Sequence, residues 1–197
     1  RIVSLVPSQT QLLYSLGLAK EVVGITKFCV HPNTWFRSKD RIGGTKNVDF
    51  EKVKALNPDI IFANKEENTK EDIEDLRKIA PVWLSDISNL EDSFLMIESI
   101  GIITNKKIEA ISIIDKIKQG FSELTQLNPS KKSVVYFIWD DPGYTAGKGT
   151  FIDDMLRKCG LENAINESRY PEVHFGLNPD VIFLSSEPFP FKEKHIE

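Results

Sequence analysis

Seven residues recur almost unchanged at two places in this chain. Leu56-Asn-Pro-Asp-Ile-Ile-Phe62 returns as Leu177-Asn-Pro-Asp-Val-Ile-Phe183 with one conservative change. Each copy has the pattern of a helix end, a turn at the Asn-Pro-Asp element and a short buried strand. Such a connector is common in α/β proteins, but its recurrence within 197 residues predicts two similarly built lobes. The same register places Glu66 opposite Glu187.

Helix and strand patterns alternate around the first copy. Several of them end at proline or glycine, because the residue before proline avoids the α region and glycine commonly follows the last residue of a helix. The predicted strands are Ile2–Val6, Val22–Ile25, Ile60–Ala63 and Val82–Leu84, and the predicted helices are Gln9–Leu16 (with Ser8 as N-cap and Gly17 as stop), Phe50–Leu56, Thr69–Ile79 and Leu90–Ile100. This alternation favours parallel strands joined by crossover helices.

One long helical pattern follows. Apolar residues three or four apart, from Ile108 to Leu124, predict a helix over Asn105–Leu127 that ends at Asn128-Pro129-Ser130. At 1.5 Å per residue such a helix is roughly 35 Å long. We therefore expect two small lobes, at residues 1–100 and 131–197, with a stiff helix between them and a cleft. The second lobe is predicted to contain strands Ser133–Trp139 and Val181–Leu184 and helix Phe151–Cys159.

The charge and composition of the chain argue against nucleic-acid binding and against a membrane span. The net charge is −4, from 25 basic and 29 acidic residues, without a run of five basic residues, so the electrostatic footprint of a nucleic-acid-binding protein is absent. No apolar stretch approaches the roughly eighteen residues of a membrane span. Two cysteines are too few for a disulfide framework, and we expect no bond between Cys29 and Cys159, which fall in different predicted lobes. Arg1 already begins a strand pattern, so we expect any targeting segment to have been removed before it.

An ordered set of motifs carries a resemblance to a known family. The motifs are Arg1-Ile-Val-Ser-Leu-Val-Pro-Ser-Gln-Thr10, Val23-Gly-Ile-Thr26, Ile42-Gly-Gly-Thr45, both Leu-Asn-Pro-Asp elements and Thr145-Ala-Gly-Lys-Gly-Thr-Phe-Ile152. Together with the long helix, they resemble the helical-backbone (type III) substrate-binding proteins of ABC importers, which are receptors for cobalamin, haem and ferric siderophores. The cobalamin receptors are the nearest branch.

The resemblance implies an α/β fold of two Rossmann-like lobes with mostly parallel sheets, bridged by one long rigid helix, with a ligand cleft between the lobes. The corresponding parts of this chain are residues 1–103, 104–128 and 129–197. It also implies a monomer that is not an enzyme, has no intrinsic cofactor and is periplasmic or membrane-anchored outside the cytoplasm. Its cargo would be a cobalt or iron chelate, a cobalamin-type corrinoid first and a ferric siderophore or haem second, delivered to an ABC permease.

The chain departs from the family pattern in its second lobe. Val48 lies 8 positions before Leu56, whereas Val173 lies only 4 positions before Leu177, so part of a helix is expected to be missing there. The family's closing helices are likewise expected after Glu197, and residues 191–197 look like the first turns of a helix.

In the resembled family, one acidic surface residue of each lobe docks onto basic residues of the permease. The first-lobe acid of the family lies just after the fourth strand, which is here the segment Glu66–Glu71. Because the repeat independently pairs Glu66 with Glu187, we predict these two as docking residues, with Glu71 as a substitute. Exposed glutamates near helix starts are also common for purely local electrostatic reasons.

Loops after the first-lobe strands supply the candidate cargo contacts, because ligands of open α/β sheets bind at the carboxyl ends of the strands. Hydroxyl and amide groups follow the first strand, a thiol and an imidazole beside aromatic rings follow the second, and small or polar residues follow later strands. His31 is also a candidate ligand for cobalt or iron. The predicted contacts are Ser8, Gln9, Thr10, Phe28, Cys29, His31, Trp35, Thr45, Lys46, Asn64 and Lys65.

Trp139 and Tyr144 are the predicted contacts of the second lobe. The nearby tract Gly147-Lys148-Gly149-Thr150 is not a P-loop, because that motif needs four residues between its glycines and Ser or Thr directly after Lys. We interpret the tract as a turn in which Thr150 caps the next helix.

Three alternatives stay open. A bare zinc or manganese receptor would need converging histidines and carboxylates, and the chain has His31, His174 and His195, far apart in sequence. A small α/β enzyme would use Cys29 and His31, although no Gly-x-Ser-x-Gly element is present. A scaffold without a transport role is the third.

Overall fold

Two mainly parallel sheets organise the protein. The computed structural model describes residues 1–126, 131–173 and 176–196. The chain divides into two compact units: unit 1 is Arg1–Asp86 with Met96–Ala110, and unit 2 is Ile87–Leu95 with Ile111–Glu197. The predicted lobe boundaries stay a prediction.

Unit 1 is a five-stranded parallel sheet with helical connections. Its strands run in the order β3-β2-β1-β6-β7, and β4 and β5 form a separate antiparallel hairpin. The elements are β1 (Ile2–Ser4), α1 (Pro7–Ser15), β2 (Val22–Ile25), α2 (Asn33–Ser38), β3 (Asp40–Arg41), β4 (Gly43–Gly44), β5 (Asn47–Val48), α3 (Phe50–Ala55), β6 (Ile60–Asn64), α4 (Lys70–Leu76) and β7 (Val82–Ser85).

The central strands of unit 1 are buried on both faces. Val3 on β1 and Ile61 on β6 are fully buried in one cluster with Val53 of α3 and Leu76 of α4. Continuous apolar runs of this kind are expected for parallel strands covered by helices on both sides. Gly24 of β2 lets the side chain of Leu56 approach, since a Cβ there would lie 2.6 Å from Leu56 Cδ1.

Helix α1 begins earlier than the sequence indicates. Pro7 occupies its first turn, and Val6 is the N-cap residue without a side-chain capping bond. The prediction that Ser8 caps this helix is therefore wrong, because the fixed φ of proline already suits the first helical position and moves the start upstream of Ser8. The predicted stop is confirmed: Gly17 follows the C-cap with φ +76°, a conformation that favours glycine.

Two helices, α5 (Leu90–Ile103) and α6 (Lys107–Gln126), follow β7. Asn105 has φ +59° in the short link between them. Gly101 of α5 lies against Ala110 of α6, and a Cβ on Gly101 would be 2.4 Å from that of Ala110. The predicted long helix over Asn105–Leu127 thus exists as α6, whereas its predicted end at residues 127–130 lies outside the described residues.

Unit 2 has a smaller sheet, with β8 at its centre. β10 and β11 pair with β8 in parallel, and β9 pairs with it antiparallel. The short strand β9 lies between β8 and α7, where no strand is predicted, and the predicted C-terminal helical turns are a short 3-10 helix over Glu193–His195. The elements are β8 (Ser133–Trp139), β9 (Tyr144–Thr145), α7 (Phe151–Lys158), β10 (Glu162–Asn163) and β11 (Val181–Leu184).

The repeated segment occupies the same place in both sheets. Each copy leads into a strand, β6 or β11, that pairs in parallel with the first strand of its unit. Its aspartate also ties the two strands together: the Asp59 N–H donates to the Arg1 carbonyl at 2.8 Å, and Asp180 Oδ2 accepts from the Ser133 N–H at 2.7 Å and from its hydroxyl at 2.8 Å. These bonds from Ser133 hold the pKa of the Asp180 carboxyl below its usual value.

Helix α7 is held by buried polar groups. As predicted, Thr150 caps it, and its hydroxyl oxygen accepts from the Asp153 N–H at 3.1 Å. The Asp153 carboxylate accepts from Asn163 Nδ2 at 3.0 Å and pairs with Arg157 at 3.2 Å and Lys148 at 3.7 Å. The lysine of the tract that superficially resembles a P-loop is thus engaged with a structural carboxylate. Among the helices of the described residues, none is long and apolar enough to cross a membrane.

Candidate functional site

The carboxyl edge of the unit 1 sheet carries a network of buried polar side chains. Gln9 of α1 donates from Nε2 to the Ala63 carbonyl at 3.0 Å and to the Ser85 hydroxyl oxygen at 2.8 Å. Asn64 donates to the same oxygen at 3.0 Å, and Ser85 donates to the Ala63 carbonyl at 3.2 Å. The network joins the ends of β6 and β7 to the start of α1. Sequence reasoning missed Ser85, for which a small polar residue at the end of an apolar strand is the only signal.

Gln9 has a further acceptor that the described residues leave without a partner. Its side chain is 1% exposed, and its Oε1 atom makes no hydrogen bond to any described group. A buried unsatisfied acceptor of this kind costs about 1–3 kcal/mol unless a partner is supplied. Gln9 therefore has the chemistry of a ligand or water contact, although its exposed surface is minimal.

Thr10 and Cys29, two predicted contacts, lie in the core of unit 1. The Thr10 hydroxyl lies 2.9 Å from the Val6 carbonyl and 3.1 Å from Cys29 Sγ, and Thr26 Oγ1 lies 3.2 Å from the same sulfur. Neither Thr10 nor Cys29 has exposed surface. Both cysteines are free thiols, and Cys159 is exposed.

Several predicted contacts are exposed around this edge. Ser8, His31, Lys46 and Lys65 are exposed, and Phe28 is half-exposed beneath the Lys27 ammonium group. These residues offer cationic, imidazole and aromatic groups to solvent, which are the side chains that a carboxylate-bearing or aromatic cargo would contact.

Trp35 and Thr45 are buried instead. The Trp35 ring packs edge-on against Tyr14 with ring centroids 5.3 Å apart. The Thr45 carbonyl accepts from Asn68 Nδ2 at 2.8 Å, a bond that fixes the loop between β4 and β5. Asn68 is a second residue that sequence reasoning missed.

The predicted docking acids all lie on the surface. Glu66 is in the turn after β6, Glu71 is in the first turn of α4, and Glu187 follows β11. Glu66 and Glu187 therefore follow equivalent strands of the two sheets, as the repeat predicts. Their contact with a permease stays a prediction.

Unit 2 presents a cluster of aromatic side chains beyond the end of β8. Trp139 is 41% exposed and lies 5.5 Å from the ring of Phe189, which in turn lies 4.7 Å from Phe191. Phe191 also contacts Phe137 of β8 at 6.5 Å between ring centroids. Sequence reasoning missed this cluster, for which the alternation Pro188-Phe-Pro-Phe191 is the signal. Tyr144 lies on β9, paired with Trp139, and is 37% exposed.

His195 closes this aromatic cluster. Its ring lies 5.2 Å from that of Phe189, and its Nδ1 atom accepts a hydrogen bond from the Lys192 N–H at 2.8 Å. A neutral histidine that accepts at Nδ1 carries its proton on Nε2, so this bond disfavours metal binding through Nε2.

Metal-ligating side chains do not converge within residues 1–126, 131–173 and 176–196. No group of three or more histidine, cysteine, aspartate or glutamate residues in these ranges is placed to hold a metal ion. His174, one of the histidines considered for a bare-ion site, lies outside the described residues. The role of His31 as a ligand to the metal of a chelate stays a prediction.

Comparison with known proteins gives a consistent family. A family model described as "Periplasmic binding protein" matches residues 2–193. The chain is 29% identical over 197 residues to an uncharacterized ABC transporter substrate-binding lipoprotein, YvrC, of Bacillus subtilis, covering 92% of this chain and 62% of that protein. It is 22% identical to a vitamin B12-binding protein of Pectobacterium atrosepticum, covering 87% of this chain and 64% of the relative. The chain thus spans less than two thirds of the length of these two relatives.

Among solved structures, the chain is similar to a possible iron-binding (periplasmic solute-binding) protein of Staphylococcus epidermidis. The TM-score is 0.83 at 26% identity, and the match covers 95% of this chain and 77% of that one. The agreement in fold confirms the mainly parallel α/β architecture that the alternating pattern predicts.

Proposed function

The chain belongs to the periplasmic binding protein family, and on that premise we propose that it is the substrate-binding component of an ABC importer. The protein captures a metal chelate outside the cytoplasm and delivers it to a membrane permease. The observation that carries this proposal is the family match over residues 2–193, supported by the similarity to an ABC transporter substrate-binding lipoprotein. It acts as a monomer, periplasmic or anchored to the membrane.

The proposed cargo is a cobalamin-type corrinoid first and a ferric siderophore or haem second. The similarity to a vitamin B12-binding protein supports the first, and the similarity to a possible iron-binding protein supports the second. Both classes present a partly apolar body with polar or anionic groups at its edge. The exposed aromatic rings of Trp139, Tyr144 and Phe28 suit the apolar part, and the Lys46 ammonium group suits the polar edge. The Lys65 ammonium group is paired with Asp86 and would have to exchange that partner for the cargo.

The proposed docking contacts are Glu66 and Glu187, with Glu71 as the substitute. Glu66 and Glu187 lie exposed after equivalent strands of the two units, which supports one contact from each unit with basic residues of the permease. Charge complementarity of this kind mainly sets orientation and association rate.

A titration of the full-length protein tests the cargo. Cyanocobalamin, haemin and ferrichrome are added separately while tryptophan fluorescence and ligand absorbance are recorded. We expect saturable one-to-one binding of one of the three, and no binding of any of them contradicts the chelate proposal.

Two matched variants localise the cargo. Trp139→Ala removes an aromatic face worth about 1.4 kcal/mol and weakens binding roughly tenfold, whereas Trp139→Phe keeps a face and stays near wild type. Equal cargo affinities for the wild type and Trp139→Ala would show that the aromatic cluster of unit 2 does not contact the cargo. Zn²⁺ and Mn²⁺ are titrated in parallel, and tight binding of either ion without any chelate would favour a bare-ion receptor instead.

A further inference from the structure

The turn that carries Glu66 is held by the side chain of Asn64, the last residue of β6. Asn64 Oδ1 accepts hydrogen bonds from the Glu66 N–H at 2.9 Å and the Glu67 N–H at 3.2 Å. One amide oxygen therefore fixes two successive backbone groups, which is the geometry of an Asx turn. The Lys65 N–H is fixed as well, since it donates to the Ser85 carbonyl at 2.9 Å.

A second amide closes the turn from its far end. Asn68 is 6% exposed, and its Oδ1 atom accepts from the Asn64 N–H at 2.9 Å. Its Nδ2 atom donates to the Thr45 carbonyl at 2.8 Å, so the turn is also tied to the loop between β4 and β5. Asn64 and Asn68 thus bracket Glu66 on both sides, each with a side-chain oxygen accepting from the backbone within the turn.

The Asn64 side chain is also hydrogen-bonded to the buried polar network of unit 1. Asn64 Nδ2 donates to Ser85 Oγ, which also accepts from Gln9 Nε2, so the Asn64 side chain is bonded to a residue of β7, outside the turn. Holding the backbone of an exposed acid in one conformation lowers the ordering entropy that is lost when the acid binds a partner.

The equivalent turn of unit 2 is built differently. In the register of the repeat, Ser185 stands where unit 1 has Asn64, and Phe189 stands where it has Asn68. Ser185 Oγ lies 3.5 Å from the Phe189 carbonyl, at the limit of a hydrogen bond, and its N–H donates to the Phe137 carbonyl at 3.1 Å. The pair of asparagine side chains, Asn64 and Asn68, is therefore a feature of the Glu66 turn and not of the equivalent turn in unit 2. Ser185 is the matched position for a control variant.

From this geometry we infer that Asn64 and Asn68 are positioning residues for permease docking, which preset the conformation of the Glu66–Glu67 turn. This inference rests on the proposed function, since it assigns Glu66 to the docking surface. Asn64 has the larger role, because its side chain holds both glutamate amides directly. The lysine beside them is held separately, by an ion pair between Lys65 and Asp86.

Four variants of the full-length protein separate this role from general stability. Asn64→Leu has a similar volume and lacks the acceptor, whereas Asn64→Asp keeps an oxygen for the two glutamate amides. Glu66→Gln removes the docking charge itself, and Ser185→Ala is the matched change in unit 2. Three quantities are measured: amide hydrogen exchange of residues 64–68, affinity for the cognate permease in lipid nanodiscs at two salt concentrations, and affinity for the chelate identified by titration.

We expect Asn64→Leu to speed exchange at the Glu66 and Glu67 amides and to weaken docking roughly fivefold to tenfold, because the freed turn must then be ordered on binding. Asn64→Asp and Ser185→Ala should dock like the wild type. Exchange of the buried amides of β1 and β2 should keep its wild-type rate, which a generally destabilising change would not give. The salt dependence of docking should fall for Glu66→Gln and persist for Asn64→Leu.

The outcomes separate the inference from the function it rests on. Wild-type docking affinity in Asn64→Leu, or unchanged amide exchange, overturns the inference and leaves the proposed function intact. Wild-type docking in Glu66→Gln overturns it too, because Glu66 is then not a docking residue. If the wild-type protein binds a chelate but not the permease, the inference falls with the docking model; if it binds neither, the proposed function itself is wrong.

Discussion

Replacing Asp153 by alanine tests how unit 2 tolerates the loss of a buried charge. The side chain is 2% exposed, and its carboxylate meets Asn163, Arg157 and Lys148. Arg157 and Lys148 are 58% and 37% exposed, so both regain water when the carboxylate is removed, and their lost attraction counts for little. Asn163 is buried, so its side-chain amide cannot regain water. Without the Asp153 carboxylate, one N–H of that amide has no acceptor, while the other still donates to the Ala146 carbonyl.

The expected cost is therefore dominated by the buried amide. A buried donor left unsatisfied costs about 1–3 kcal/mol, and the lost charge-assisted bond and small cavity bring the total to about 3 kcal/mol. Asp153→Asn keeps the volume and an acceptor for Asn163, so about 1 kcal/mol is expected for it. Arg157→Met should cost well under about 1 kcal/mol, since it removes a partly solvated ion pair.

Amide hydrogen exchange measures these losses where they occur. The free energy of opening is taken from exchange-protected amides of α7 and β8, whereas amides of β1 and β6 in unit 1 serve as the internal reference. Asp140→Ala, an exposed change in the same unit, is the matched control and should leave the opening free energy unchanged. A loss below about 1 kcal/mol for Asp153→Ala, or an equal loss for Arg157→Met, would refute the assignment of the cost to the buried amide.

Single contacts give three further predictions. Hydrogen bonds from Ser133 lower the pKa of Asp180 in the folded state, so the stabilisation by its carboxylate is present at neutral pH and is lost as pH falls through that lowered pKa. Asp180→Asn should remove this acid-dependent part of the unfolding free energy, which is measured from neutral to acidic pH. Gly101→Leu places a side chain where a Cβ alone would lie 2.4 Å from the alanine of α6, and should lower the thermal midpoint by at least several degrees. Gly120→Ala, at an open position inside α6, is the control and should not lower the thermal midpoint. Under native conditions a thiol reagent should modify Cys159 within minutes and Cys29 only on unfolding. Rapid labelling of both cysteines would contradict the burial of Cys29.

Local sequence signals located most elements of the fold. Predicted strands Val22–Ile25, Ser133–Trp139 and Val181–Leu184 match the observed β2, β8 and β11, because short apolar runs between turn residues have few other stable conformations. The ends of helices were less predictable. Both Ser8 and Pro7 are favoured near a helix start, and the choice between them depends on how the preceding strand leaves the sheet.

The candidate site was less predictable than the fold. Position after a strand indicates which loops meet at one edge of a parallel sheet, but not which side chains of a loop turn outward. Thr10 and Cys29 follow β1 and β2 as a ligand site would require, yet they hydrogen-bond to each other in the core. Phe28 and His31, close neighbours of Cys29, lie exposed.

By itself the sequence determined the repeat, the alternation of strands and helices, and the family, since all three are written in local order and spacing. Only the tertiary structure decided the partners of individual polar groups. Asn64 and Ser85 are 21 positions apart in the chain, yet their side chains meet at 3.0 Å because β6 and β7 are neighbours in the sheet. Asp153 likewise meets Asn163 between α7 and β10.

Such pairs form only when the sheet brings distant residues to one edge, and burial then makes each hydrogen bond obligatory, because an unpaired polar group cannot regain water. The anchoring of the Glu66 turn to β7 and the exposure of each predicted contact follow from that packing, and no local pattern in the chain encodes them.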